Sequence, residues 1–153
     1  MSERPRPAGR ADPPPALLDT GLPVTLTRTS FGVAGTVAGP SGTVLLTVTL
    51  HAEPPEDDAP DAPDALLVVA AGVVDLCTAP LLEAALVDAV DRHAMVRCDL
   101  SDVRLLSAAG ITALVNAHQR AAQAGCRLTV HGAHGITRRV LQITGVEHLL
   151  GGQ

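Results

Sequence analysis

Two carboxylates, Asp99 and Asp102, and two histidines, His131 and His134, come closest in this 153-residue chain to the spacing that acid–base or metal chemistry needs. Paired carboxylates at a strand end can divide the roles of proton donor and acceptor when their surroundings separate their pKa values. The simpler reading is that Asp102 shapes a turn and Asp99 is tied to nearby backbone. The His-x-x-His pair suits a metal in principle, but no cysteine or carboxylate close in sequence completes a ligand set, so neither metal nor cofactor is expected. Ser, His and Asp are present, yet no Gly-x-Ser-x-Gly elbow precedes a helix, so hydrolase chemistry has no specific support. The glycines of 35–43 lack the Lys-Ser/Thr pair of a P-loop and the spacing of a dinucleotide fingerprint, so they read as a connector. No catalytic constellation is complete, and the chain is not expected to be an enzyme.

The cysteines carry no chemistry either. Cys77, Cys98 and Cys126 are an odd number without Cys-x-x-Cys spacing, which speaks against a disulfide framework and a zinc knuckle. Cys98 and Cys126 fall in strand-like apolar runs, where a thiol is a small hydrophobe, while Cys77 falls in a loop. A formal net charge of −5, with Arg138 and Arg139 the only adjacent basic pair, argues against nucleic acid, because phosphate binding needs a concentrated basic face. Apolar stretches are interrupted well short of the ~18 residues of a membrane span, and the Pro- and Arg-rich start has no apolar signal-peptide core. A cytoplasmic location without membrane insertion is the expectation.

The elements that must position these residues follow from hydrophobic period. An apolar fraction of 46% with Phe31 as the single aromatic predicts a core of Val, Leu, Ile and Ala, which suits strands covered by helices. Residues 1–42 read as a low-complexity extension, disordered or loosely structured: five prolines lie among the first fifteen residues, and 24–42 offers at most a weak hairpin or loose edge. The folded domain is expected over 43–150. It begins with a strand at 43–50, followed by an acidic loop at 53–64 with four prolines and six carboxylates. A strand at 66–74 precedes a helix over 78–93 that Thr78 is placed to cap. A strand at 95–100, a helix at 108–124 ending at Gly125, a strand at 126–131 and a helix at 136–144 complete the chain. The fold expected is an α/β open, mostly parallel sheet of about four strands with about three helices, in which Leu114 and Leu141 face the sheet.

The segment from Cys98 to Leu150, with its Asp99-Leu100 pair and closing Ile143-Thr144-Gly145, resembles the STAS domain of bacterial anti-sigma factor antagonists. Upstream, GVVDLCTAP from Gly72 to Pro80 is similar to that family's strand-loop-helix signature. The likeness covers 66–150. It implies a role in partner switching that regulates transcription, with an anti-sigma factor that is also a GHKL-type serine kinase as partner, and it leaves room for a homo-oligomer.

Family members carry Asp-Ser-Ser-Gly at the start of the second helix and are phosphorylated on the second serine. This chain has Ser107-Ala108-Ala109-Gly110, so the acceptor position is Ala109 and the hydroxyl is lost. Val73 departs as well, where the family often has Glu. Ser107 offers a substitute acceptor, against its role as N-cap of the helix. The partner surface implied joins Asp75, Leu76, Cys77 and Thr78 with Ser107, Ala108, Ala109, Gly110, Ile111 and Thr112. The alternative function is a non-switching scaffold or accessory subunit of a larger signalling or transport assembly.

Overall fold

The computed structural model describes residues 22–53 and 65–145. Strands β1 (Val24–Arg28), β2 (Val33–Ala38), β3 (Val44–Glu53) and β4 (Ala65–Val74) precede α1 (Ala79–Arg92), β5 (Met95–Leu106), α2 (Ala108–Ala124), β6 (Arg127–His131) and α3 (Gly135–Ile143). They form one six-stranded sheet whose strand order follows the sequence. The pairs from β1 to β4 are antiparallel, and β4–β5 and β5–β6 are parallel. The two crossovers α1 and α2 therefore lie side by side on one face.

The α/β class and the three helices are as expected. The strand count is not: six strands replace about four, and the sheet is mixed. The two extra strands come from 24–42, the stretch expected as a weak hairpin or loose edge of the extension. Its Val-Thr alternation puts Val37 in the core and packs Val24 and Leu26 against it, so this hairpin belongs to the sheet. The Gly-rich run had masked the alternation. The tail at 1–15 and all but Glu53 of the acidic loop lie outside the described residues.

The core sits between the sheet and the two helices. Leu66, Val68, Ala70 and Val74 of β4, and Val96, Cys98 and Leu100 of β5, alternate inward beneath Leu82, Ala85, Leu86 and Ala89 of α1. Small residues on α2, namely Gly110, Ala113, Ala117 and Ala121, form the buried stripe on that helix together with Leu114. Cys98 behaves as the sequence implies, since burial pushes its thiol up to about 12. The facing helices are tied at their outer rims by a two-pronged Arg120–Asp91 pair (2.8 and 3.0 Å) and by Asn116 donating to Glu83 (3.3 Å).

Strand β5 outruns its neighbour. β6 accompanies it only from Met95 to Asp99, and α3 takes up the vacant edge beyond, with His134 Nε2 donating to the Ser101 carbonyl (2.7 Å) and Thr137 Oγ1 to that of Val103 (3.3 Å). The strand expected to stop at residue 100 thus continues to Leu106, because β4 still pairs with it there. Asp102 lies inside β5 opposite Ala71 and shapes no turn. Two register shifts in β4, between Val69 and Ala71 and between Gly72 and Val73, absorb the polar interruption. Gly72 sits at the second with φ of +122°, and a Cβ there would collide with the Leu45 carbonyl of β3.

Candidate functional site

Parallel pairing brings the carboxyl ends of β4 and β5 level, with Val74 opposite Leu106, so the loops that follow them start side by side. They are also bonded, since the Ser107 amide donates to the Val74 carbonyl at 2.9 Å. The ten residues singled out in the sequence thus come together at one edge. In open α/β sheets this edge is where ligands and partners are met.

The first loop is fixed by its own polar groups. Asp75 Oδ1 accepts from the amides of Cys77 (2.9 Å) and Thr78 (3.1 Å), and the Asp75 carbonyl accepts from the amide of Ala79 (2.8 Å). Thr78 was expected to cap α1 through its side chain and does not. Its fully buried hydroxyl turns back, donating to the Val73 carbonyl (2.7 Å) and accepting from the Asp75 amide (2.8 Å). The capping work falls to Asp75 because Thr78 already has helical backbone angles, which carry its side chain away from the first-turn amides. The Asp-x-x-Thr spacing, an Asx-turn signal, was the clue available in the sequence. Leu76, held between these anchors, points into solvent, and Pro80 fits the first turn of α1 because no helical donor is needed there.

The second loop is fixed by packing. Ser107 is the N-cap of α2 in an extended conformation, and its Oγ accepts from the Gly110 amide at 3.5 Å. Gly110 is buried against β4 and β5: a Cβ would lie 2.5 Å from Leu106 Cδ1 and 2.7 Å from Val74 Cγ1. Only glycine lets the helix start approach so closely. Ala108 and Thr112 are exposed, while Ala109 and Ile111 are half-buried, their side chains resting on the core rim. The helix start leaves backbone amides at the surface, a weakly electropositive spot. Of the ten residues, Thr78 and Gly110 have no accessible side chain and can act only by holding the others in place.

The residues of acid–base and metal type lie elsewhere. Asp99 Oδ1 accepts from the Ser101 amide (2.8 Å) and Ser101 Oγ (2.5 Å), the backbone-tied role foreseen for it. His131 stands beside Asp99 in the register and shares a hydrogen bond of 2.7 Å with Thr129, on the sheet face away from α1 and α2. Burial and the nearby Arg97 guanidinium hold His131 below the usual histidine range, with Asp99 and Glu53 opposing. His134 is occupied at β5, so the His-x-x-His pair does not converge. Among the described residues no group of three or more His, Cys, Asp or Glu side chains is placed to hold a metal ion, and no helix is long and apolar enough to cross a membrane.

Comparison with known proteins bears on this edge and on the sheet that builds it. The family model described as Mlab, STAS domain matches residues 59–151. Among solved structures, the chain is similar to an anti-sigma factor antagonist from Mycobacterium paratuberculosis, at 24% identity over 75% of this chain and 88% of that one, with a TM-score of 0.55. It is also similar to the anti-sigma factor antagonist SpoIIAA in its unphosphorylated form, at 10% identity over 69% of this chain and 88% of that one, with a TM-score of 0.52. At these identities the likeness is one of fold. No curated protein matches the chain. With the strand-loop-helix at Asp75 and the second helix start at Ser107 both inside the matched segment, the chain belongs to the STAS domain family and has a fold like that of the anti-sigma factor antagonists.

Proposed function

We propose that this protein is a non-enzymatic, cytoplasmic antagonist that docks on an anti-sigma factor of the GHKL serine-kinase type and so frees a sigma factor, without touching DNA. The contact runs from Asp75, Leu76 and Cys77 to Ser107, Ala108, Ala109, Ile111 and Thr112, with Thr78 and Gly110 behind it. One observation carries the reading. Ala109 lies in the first turn of α2 and offers only a methyl group on the core rim, at the position to which the family resemblance assigns the phosphorylated serine.

A phosphate at that point would bring nearly two negative charges and added bulk into the contact. Without a hydroxyl the surface keeps its small, uncharged form, so binding is constitutive and indifferent to the partner's ATP turnover. Ser107 is a poor substitute acceptor, because its hydroxyl faces the Gly110 amide as the helix cap. The same lack of a hydroxyl favours a second reading, in which the domain is a permanent scaffold or accessory subunit of a larger assembly.

Titration calorimetry against purified GHKL-type serine kinases of the source organism, with and without ATP, tests the proposal, alongside phosphate-affinity gels. Wild-type protein should bind equally in both conditions and gain no phosphate. Ala109→Asp should weaken the complex by placing an unpaired carboxylate in a desolvated contact. Phosphorylation of Ser107, or Ala109→Asp binding as tightly as wild type, would remove the antagonist reading and leave the scaffold.

A further inference from the structure

Of the six large apolar side chains exposed among the described residues, four gather on one edge of the sheet. Leu76 (79% exposed) follows β4, Leu105 (45%) is the penultimate residue of β5, Ile136 (61%) lies in the first turn of α3, and Val44 (52%) opens β3. The register makes them neighbours. The antiparallel pairing of β3 with β4 ends where Leu46 stands opposite Gly72, so Val44 opens β3 at this same edge, and Leu105 lies opposite Val73. Thr137, next to Ile136, donates to the Val103 carbonyl of β5. At ~4.8 Å per strand, these side chains make an apolar rim roughly 15 Å wide. Of the other two, Phe31 lies at the opposite edge, in the β1–β2 turn beside His93, and Ile143 is the last residue of α3.

Folding does not require leucine at position 76. The turn is closed by Asp75 and Thr78 and by backbone, while the Leu76 side chain stands in water at a position where turns favour polar residues. The turn is already ordered, so presenting the leucine to a partner carries little further entropic cost. Charge is also missing around it: residues 105–117 carry none, and Asp75, the one charged residue in 65–82, turns its carboxylate to its own loop amides. Leu76 is thus an apolar anchor in a charge-depleted surround, the composition of an interface centre, while Arg104 and Arg138 flank the strip at Leu105 and Ile136.

We infer that Val44, Leu76, Leu105 and Ile136 form a docking strip for a protein that presents an apolar groove in a neutral or basic surface, with Leu76 as the anchor. This rests on the proposed partner-binding edge and widens it to β3 and α3. A second copy is the poorer occupant, because chains with a formal charge of −5 repel one another.

The test is calorimetry of the same kinases against wild type, Leu76→Ser, Ile136→Ser and Ala109→Asp, with Phe31→Ser as an exposed control and thermal melts to show that each variant is folded. Losing a leucine buried at the centre of a contact corresponds to about a 10- to 100-fold rise in Kd. That loss is expected for Leu76→Ser, a smaller one for Ile136→Ser, and none for Phe31→Ser. If Leu76→Ser binds within about twofold of wild type while Ala109→Asp binds weakly, the strip is wrong and the partner edge survives. If wild type binds no kinase, the partner reading falls and the strip falls with it. Self-association of the wild type that Leu76→Ser abolishes would overturn the choice of a heterologous partner.

Discussion

The antiparallel half of the sheet, β1 to β3, and the parallel half, β4 to β6, are held by different means. In the parallel half every connection is a helix laid over the strands, and the loops at the carboxyl edge are by-products of those crossovers. The antiparallel half is a meander of short connections. Its outer hairpin is pinned at the turn, where Arg28 approaches Asp88 of α1 (3.9 Å) and His93 Nε2 donates to the Phe31 carbonyl (2.8 Å). One half therefore builds the candidate site, and the other closes the core beneath α1 and lends Val44 to the rim. A partner surface of this kind needs two adjacent strand-to-helix loops, and only parallel strands can supply them.

The comparison is broken most directly by cutting into each half and comparing the losses. Leu114→Ala removes a buried side chain of α2 above the parallel strands and should cost about 2–5 kcal/mol. Val37→Ala in the hairpin removes two methyl groups from the same core and should cost about 1–3 kcal/mol. Denaturant melts measure both. A loss below about 0.5 kcal/mol for Val37→Ala would return the hairpin to the loose extension expected from sequence.

A second cut separates the site loops from the core that carries them. Thr78→Val keeps the buried shape but leaves the Asp75 amide and the Val73 carbonyl without the hydroxyl that serves both, at a cost of about 1–3 kcal/mol. Amide exchange should rise at Asp75, Cys77 and Thr78 and stay unchanged at Gly110, whose loop is set by packing. Equal loss of protection in both loops would show that they form a single unit.

The smallest effect is a pH dependence on the helix-free face. His131 is held below its ordinary pKa in the folded chain, so the unfolded chain takes up a proton first as pH falls. Its contribution to stability is present above about 6.5, the unfolded value, and is lost as pH drops through the folded one. Melting temperatures of wild type and His131→Asn should therefore converge as pH falls below about 6.5. Parallel curves would mean that His131 does not sense the fold.

Legibility followed the same division. The helices over 79–92 and 108–124 and the strands between them were readable because apolar residues recur with the period of each element, and Ser107 marked the start of α2 where it lies. The hairpin escaped because four glycines among residues 32–42 weaken the propensity signal while tertiary packing supplies the stability. The end of β5 escaped because Asp-Leu-Ser-Asp resembles a strand end, and only pairing with β4 carries the chain on to Leu106.

By itself, the sequence determined the α/β class, the order of the crossovers and the presence at position 109 of an alanine, which has no hydroxyl, since these depend on residue type and on spacing along the chain. Tertiary structure alone decided that β1 and β2 join the sheet, and that Val44, Leu76, Leu105 and Ile136 share one edge. Residues from β3, the β4–α1 loop, β5 and α3 become neighbours only through strand register, a long-range property that no local window of the chain contains.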